Sequence, residues 1–337
     1  MNISFSQKST NACGGIRFNS GSFNLENCTF SYTKSLTGTI CYNNCIQADE
    51  NSFIIIQNCT LSNCFNQCIN INTLSGSQEM VTITENTFIN CINDDECRIN
   101  GIFFAPSCDS ISFSIEKNTF EHCSKNNIRS VLISFEIESE GSSFIKSDIE
   151  FYHNIVNYEL TESVGHIAFQ VSQLNRRVLI DNCSFTNCYK DYEYPWVNAI
   201  CVNKVTDLIV TKCYFYHCGY HIFHSTSLGG NVIAIIGDFP TNSIISNCTF
   251  NESSSAVSSY SESTSFIGNK LINCGRNTFR ITHENGDKGF EIIDNHFFNC
   301  TNGCIIHTWL YNNGYINYQP VILRNIFESV HISDDDL

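Results

Sequence analysis

His217, Cys218, His221 and His224 place four metal-binding side chains within eight residues, and Cys41 with Cys45 adds a C-x3-C pair. Imidazole and thiolate together would suit zinc. Spacing argues against that chemistry. His217 occupies a corner slot shared with His122, Asn187 and Asn273, where polar side chains face water. His221 and His224 differ by three, so on a strand they point to opposite faces. Cys41, Cys45, Cys97 and Cys108 read as loop thiols, with a Cys97–Cys108 clasp or a metal site as the alternatives. No metal ligands and no cofactor are predicted.

Cutting a polysaccharide needs paired carboxylates at fixed separation. The chain offers "NDDE" from Asn93, "GHI" from Gly165 and Arg176–Arg177, which come from different strand phases. Glu136, Glu138 and Glu140 alternate onto one outward face, with no basic partner in their segment. No catalytic residues are predicted, although a pectin-lyase-like lyase or a glycoside hydrolase stands as the alternative function. The strongest surface signal is aromatic. "YKDYEYPWVN" carries Tyr189, Tyr192, Tyr194 and Trp196 beside Asp191 and Glu193, and the following repeat adds Tyr214, Tyr216 and Tyr220. Flat exposed rings offer contact area at low entropic cost, which suits a glycan or protein partner.

The positions of these groups follow from a repeat. Large apolar anchors stand at Phe30, Leu61, Phe88, Phe120, Val156, Phe185, Phe215, Phe250, Leu271, Phe297 and Phe327. Their intervals run from 21 residues (Phe250 to Leu271) to 36 (Phe120 to Val156), so a variable loop separates constant parts. Five residues before each anchor stand Leu25, Ile56, Ile83, Ile115, Phe151, Ile180, Val210, Ile245, Phe266, Ile292 and Ile322, all apolar. Seven before it the slot is again mostly apolar, failing at Ser243, Thr264 and Pro320. Steps of two with β-branched and aromatic residues mark a half-buried strand, and steps of three mark corners. Further strands follow at "QCINI", "NGIFF", "GHIAF", "NAICV" and "GCIIH". A period of about 30 with this content predicts a solenoid. The expected fold is all-β, a single-domain parallel β-helix over residues 1–337 with about eleven coils, right-handed as parallel crossovers are.

Two residues before the anchors stand Cys28, Cys59, Asn86, Asn118, Asn154, Cys183, Cys213, Cys248, Asn269, Asn295 and Asn325. This slot predicts an inward ladder. Asn is expected there because it tolerates left-handed backbone and passes amide hydrogen bonds between coils. Cys is expected to fill the same volume with no polar demand. Like follows like in runs, because an Asn flanked by two Cys is expected to lose its partners. Three residues after the anchor Cys dominates again, and stacked parallel thiols bridge poorly, so these cysteines are expected to be free.

Lys plus Arg number 18 against 33 Asp plus Glu, a formal charge of −15 that repels phosphate backbones and anionic lipid. Nucleic-acid binding and polybasic membrane docking are excluded on that ground. The longest apolar run, "VIAIIG" from Val232, falls far short of a membrane span, so no direct membrane insertion is predicted. No secretory leader is visible at "MNISFSQKSTNACGG", which predicts either an intracellular protein or a piece of something longer, lacking an N-terminal cap and a C-terminal anchor. Asn27, Asn58, Asn182, Asn247, Asn251 and Asn299 head N-glycosylation sequons, which matter only in a secreted chain.

The "N-C-x-F-x-N-C" phrases, with "CGGIRF" from Cys13, resemble the repeats of polymorphic outer-membrane-protein-like proteins. The nearest flavour is the Cys- and Asn-rich right-handed β-helix proteins that some anaerobic protists encode in large families. The resemblance implies a non-catalytic, adhesin-like rod at a cell surface that displays variable loops to a glycan or protein. A degenerate copy without activity is the other reading it allows.

Overall fold

The computed structural model describes residues 3–7, 16–18, 21–32, 46–49, 51–63, 68–72, 79–91, 99–104, 111–123, 130–135, 148–157, 166–172, 177–190, 198–203, 205–220, 231–236, 242–253, 255–259, 263–275, 279–283, 289–300, 306–310 and 321–330. These residues form a parallel β-solenoid. Each repeat contributes one strand to each of three long sheets of twelve, eleven and eleven strands, and a small fourth sheet has two. Every strand pairs with its counterpart one repeat away, and every pairing in the long sheets is parallel.

The anchors lie in the twelve-stranded sheet, in short strands such as Ser184–Thr186, Tyr214–Tyr216 and Thr249–Asn251. The slots five and seven residues earlier lie in a second sheet, through Arg177–Asp181, Asp207–Thr211 and Asn242–Ser246. Register is in phase: Ile180 pairs with Val210 and Val210 with Ile245, while Phe185 pairs with Phe215 and Phe215 with Phe250. The third sheet takes the later strands the sequence marks, such as Ile69–Asn72, His166–Ser172, Asn198–Asn203 and Ile306–Leu310. Equivalent residues therefore form columns. From Leu25 to Ile292 the column five before the anchors is buried throughout, and Ile322, in the last described repeat, is 46% exposed. Ser243 and Thr264 also point inward, and Thr264 meets the Ser259 hydroxyl at 2.8 Å.

Two corners per coil hold left-handed backbone, and neither is the inward Asn/Cys slot. Positive φ falls one residue earlier, at Asn27, Asn58, Glu85, Lys117, His153, Asn182, Lys212, Asn247, Gly268, Asp294 and Arg324, and again two after the anchor, at Asn63, Asn90, His122, Asn187, His217, Glu252, Asn273, Asn299 and Ser329. The expectation that the ladder Asn itself takes up the left-handed turn is thus corrected. The neighbour makes the turn, and the ladder residue swings inward after it. An ordinary L-residue in this region costs about 1–2 kcal/mol relative to right-handed backbone, and a β-branched one more. His153, exposed at φ 54°, tests this. His153→Gly should raise the unfolding free energy by about 0.5–1 kcal/mol, and His153→Val should lower it by at least about 1 kcal/mol, as read by urea titration.

The inward slot does form a ladder. Asn118 donates from its backbone N–H and its Nδ2 to Asn154 Oδ1 at 2.9 and 3.0 Å, and from Nδ2 to the Ile83 carbonyl at 2.9 Å. Asn86 treats Asn118 the same way, and Asn269, Asn295 and Asn325 repeat the pattern. The cysteines are not merely apolar fillers, which corrects the second expectation. Cys59, Cys183, Cys213 and Cys248 donate their thiol protons to the carbonyls of Leu25, Phe151, Ile180 and Val210, at 3.7, 3.3, 3.7 and 3.7 Å. Those carbonyls are the equivalents of the ones that Asn Nδ2 reaches elsewhere. No Asn in this column stands between two Cys. An Asn with Cys on one side still accepts from it, since Cys59 N–H donates to Asn86 Oδ1 at 2.8 Å and Cys248 N–H to Asn269 Oδ1 at 2.9 Å.

Candidate binding face

Tyr214 and Tyr216 flank Phe215 on a three-residue strand. Phe215 is fully buried, so alternation turns both tyrosines outward. The strand is fixed at both ends by inward thiols, Cys213 and Cys218, and by left-handed corners at Lys212 and His217. Tyr214 is 40% exposed. The two rings are parallel within 2°, with centroids 6.5 Å apart.

Neighbouring coils frame this pair. Register sets Tyr214 between Ser184 and Thr249, and Tyr216 between Thr186 and Asn251. Tyr216 Oη donates to Glu252 Oε2 at 3.1 Å, which pushes the phenol pKa up because the carboxylate opposes a second negative charge. Asn251 Nδ2 reaches Tyr214 Oη at 3.4 Å. At the corner, the His217 ring lies 6.2 Å from that of Tyr216, and His217 Nδ1 sits 3.2 Å from Asn187 Oδ1. Two aromatic rings thus share an outer face with a carboxylate, two amides, an imidazole and the hydroxyl-bearing neighbours Ser184, Thr186 and Thr249. Such a face can stack on a sugar ring and hydrogen-bond its hydroxyls; nothing in it supplies a paired acid and base.

The other sequence candidates are only partly placed. Tyr189 and Tyr220 fall in a short parallel strand pair, Tyr189–Lys190 with Gly219–Tyr220, whose backbone register matches Tyr189 with Gly219 and Lys190 with Tyr220. This pair continues from the buried thiols Cys188 and Cys218, so its backbone borders the Tyr214–Tyr216 coil. Tyr192, Tyr194 and Trp196 lie outside the described residues, as do His221, His224, Cys41, Cys45, Cys97, Cys108, the three glutamates from Glu136 and the segment 93–96. Arg177 faces outward and pairs with Glu150 at 3.4 Å, and Glu150 also accepts from Tyr152 Oη. Among the described residues, no three His, Cys, Asp or Glu side chains are grouped so as to hold a metal ion. The sequon residues Asn58, Asn182, Asn247 and Asn299 are exposed at left-handed corners.

Sequence reasoning missed Asn251 and Glu252 as members of this face. Their signal was present: they occupy the first and second slots after Phe250, the column positions of Tyr216 and His217. Comparison with protein-family models and with curated proteins finds no match for the chain.

Proposed function

We propose that this protein is a non-catalytic solenoid that binds a glycan on the outer face centred on Tyr214 and Tyr216, with the segment 189–196 as an adjoining contact. The observation that carries this reading is the outward-facing, parallel tyrosine pair ringed by the side chains of Asn251, Glu252, His217 and Asn187. Aromatic faces supply stacking area without the rotamer entropy of long aliphatic chains, and the polar rim supplies orientation. Display at a cell surface belongs to the same proposal, supported by the likeness of the Cys–Asn phrases to polymorphic outer-membrane-protein-like repeats. The excess of acidic residues suits neutral or basic sugars over anionic ones.

A glycan array with purified protein tests it. The double variant Tyr214→Ala/Tyr216→Ala should weaken the best array hit about tenfold or more, the scale expected of two lost stacking contacts, with the circular dichroism spectrum of the parent. Equal binding by parent and variant rejects the face. A signal that survives on intact cells while every glycan fails points instead to a protein partner.

A further inference from the structure

We propose that the stacked thiols of Cys183, Cys213 and Cys248 form a buried site for a soft, two-coordinate cation, Cu(I) among cellular ions. The three residues occupy the same inward slot in consecutive coils, are each at most 2% exposed, and are free thiols. Their coils are locked in register by Tyr214 N–H to the Cys183 carbonyl and Thr249 N–H to the Cys213 carbonyl, both 2.9 Å.

Spacing decides what such a column can do. Parallel strands stand about 4.8 Å apart, and side chains in one column run parallel. A disulfide needs sulfurs at about 2.05 Å with a near-perpendicular dihedral, which parallel thiols at this spacing do not reach without moving the backbone. A linear sulfur–metal–sulfur unit with bonds of about 2.2–2.3 Å spans about 4.5 Å, close to the coil step. Zinc wants four ligands in a tetrahedron, and the column offers each ion only the sulfur above and the sulfur below. That coordination number selects soft closed-shell ions bound by thiolate.

The protein already directs amide N–H groups at these sulfurs. Cys183 receives the backbone N–H and the side-chain amide of Asn154, Cys213 receives the N–H of Cys183, and Cys248 receives the N–H of Cys213. In the asparagine coils the same donors meet an amide oxygen. Donors aimed at sulfur stabilise a bound thiolate, as outer hydrogen bonds do in metal centres generally. Burial opposes ionisation of an isolated thiol in this interior, and a cation bound between two sulfurs offsets that cost. The thiol bonds given up run to carbonyls, from Cys213 to Ile180 at 3.7 Å and Thr211 at 3.3 Å, and from Cys248 to Val210 at 3.7 Å and Ser246 at 3.3 Å. Loading breaks two S–H bonds and forms two sulfur–metal bonds. Two protons leave to solvent, and the metal keeps its oxidation state.

The test uses the reduced full chain without oxygen, titrated with Cu(I) against a chromophoric Cu(I) chelator. Cys213→Asn swaps the middle thiol for the residue that six other coils carry in this slot. It should lose one tightly bound equivalent and release two fewer protons. Cys213→Ser should do the same, which guards against a folding defect in the first variant. Cys201→Ala, which removes a buried thiol outside the two thiol columns, should keep every equivalent. Copper-edge absorption should show two sulfur neighbours in parent protein. Unchanged stoichiometry in both Cys213 variants, three or more sulfurs per copper, or loss of the β-sheet spectrum on loading would each overturn the site.

Discussion

Phe215→Ala is expected to lower the stability of the solenoid by about 3–5 kcal/mol, and Phe215→Leu by about 1 kcal/mol. Phe215 is fully buried, and its ring stacks at 5.1 Å on Phe185 and at 4.9 Å on Phe250, within 6° and 10° of parallel. Alanine leaves a cavity between two rings that the rigid coils on either side cannot close, because their separation is set by backbone hydrogen bonds. Leucine is tolerated because the same column carries Leu61 and Leu271, both fully buried. In a stacked array each coil contacts mainly its neighbours, so the damage should be local. Hydrogen exchange read by mass spectrometry should show lost protection in 184–186, 214–216 and 249–251, with protection retained around Phe88 and Phe120. Equal losses in the alanine and leucine variants would mean that ring stacking does not set the spacing of these coils. Because Tyr214 and Tyr216 sit on either side of this residue, the alanine variant should also weaken glycan binding, whereas the leucine variant should keep it.

The architecture was legible because a solenoid states each of its rules many times over. One apolar residue five before an anchor means little; a column from Leu25 to Ile292 means a shared interior. Alternation around Phe215 was enough to turn Tyr214 and Tyr216 outward. The left-handed turn was placed one residue late for a physical reason. Asn recurs in the inward slot and is the residue one looks for at positive φ, but the turning position itself carries Asn, Glu, Lys, His, Gly, Asp and Arg. Its conformation is imposed by ladder hydrogen bonds, such as His153 N–H to the Asp181 carbonyl at 3.1 Å, so Asn27, Asn58, Asn182 and Asn247 share the position with Glu, Lys and Arg and the Asn signal is diluted. The cysteines misled in the same way. Their hydrophobic character is visible in a sequence, whereas a thiol bond to the preceding coil exists only after stacking. Glu252 joined the tyrosines by the same route, since a corner residue in one coil meets a strand residue in the next only once the register is known.

Asn118→Leu should cost about 4 kcal/mol and Asn118→Cys only about 1–2 kcal/mol, the reverse of what hydrophobicity alone would rank. Leucine at this fully buried position strips a donor from the Ile83 carbonyl and from Asn154 Oδ1, and it strips the acceptor from Asn86 N–H and Nδ2. Each buried group left without a partner costs about 1–3 kcal/mol, and Asn86 Nδ2 is spared the full penalty because it also reaches the Ile56 carbonyl. Cysteine restores two of these bonds in the manner seen across the Cys coils, with its thiol on the Ile83 carbonyl and its sulfur accepting Asn86 N–H, the geometry that Cys183 shows with Phe151 and Asn154. The comparison is made by urea denaturation of both variants with the exchange protection of Asn86 and Asn154 amides followed in parallel. Indistinguishable variants would mean that the amide ladder contributes no more than packing. The predicted order explains why the column can change from Asn to Cys and back: either residue closes the same backbone bond to the coil before it, and only the extra side-chain bond separates them.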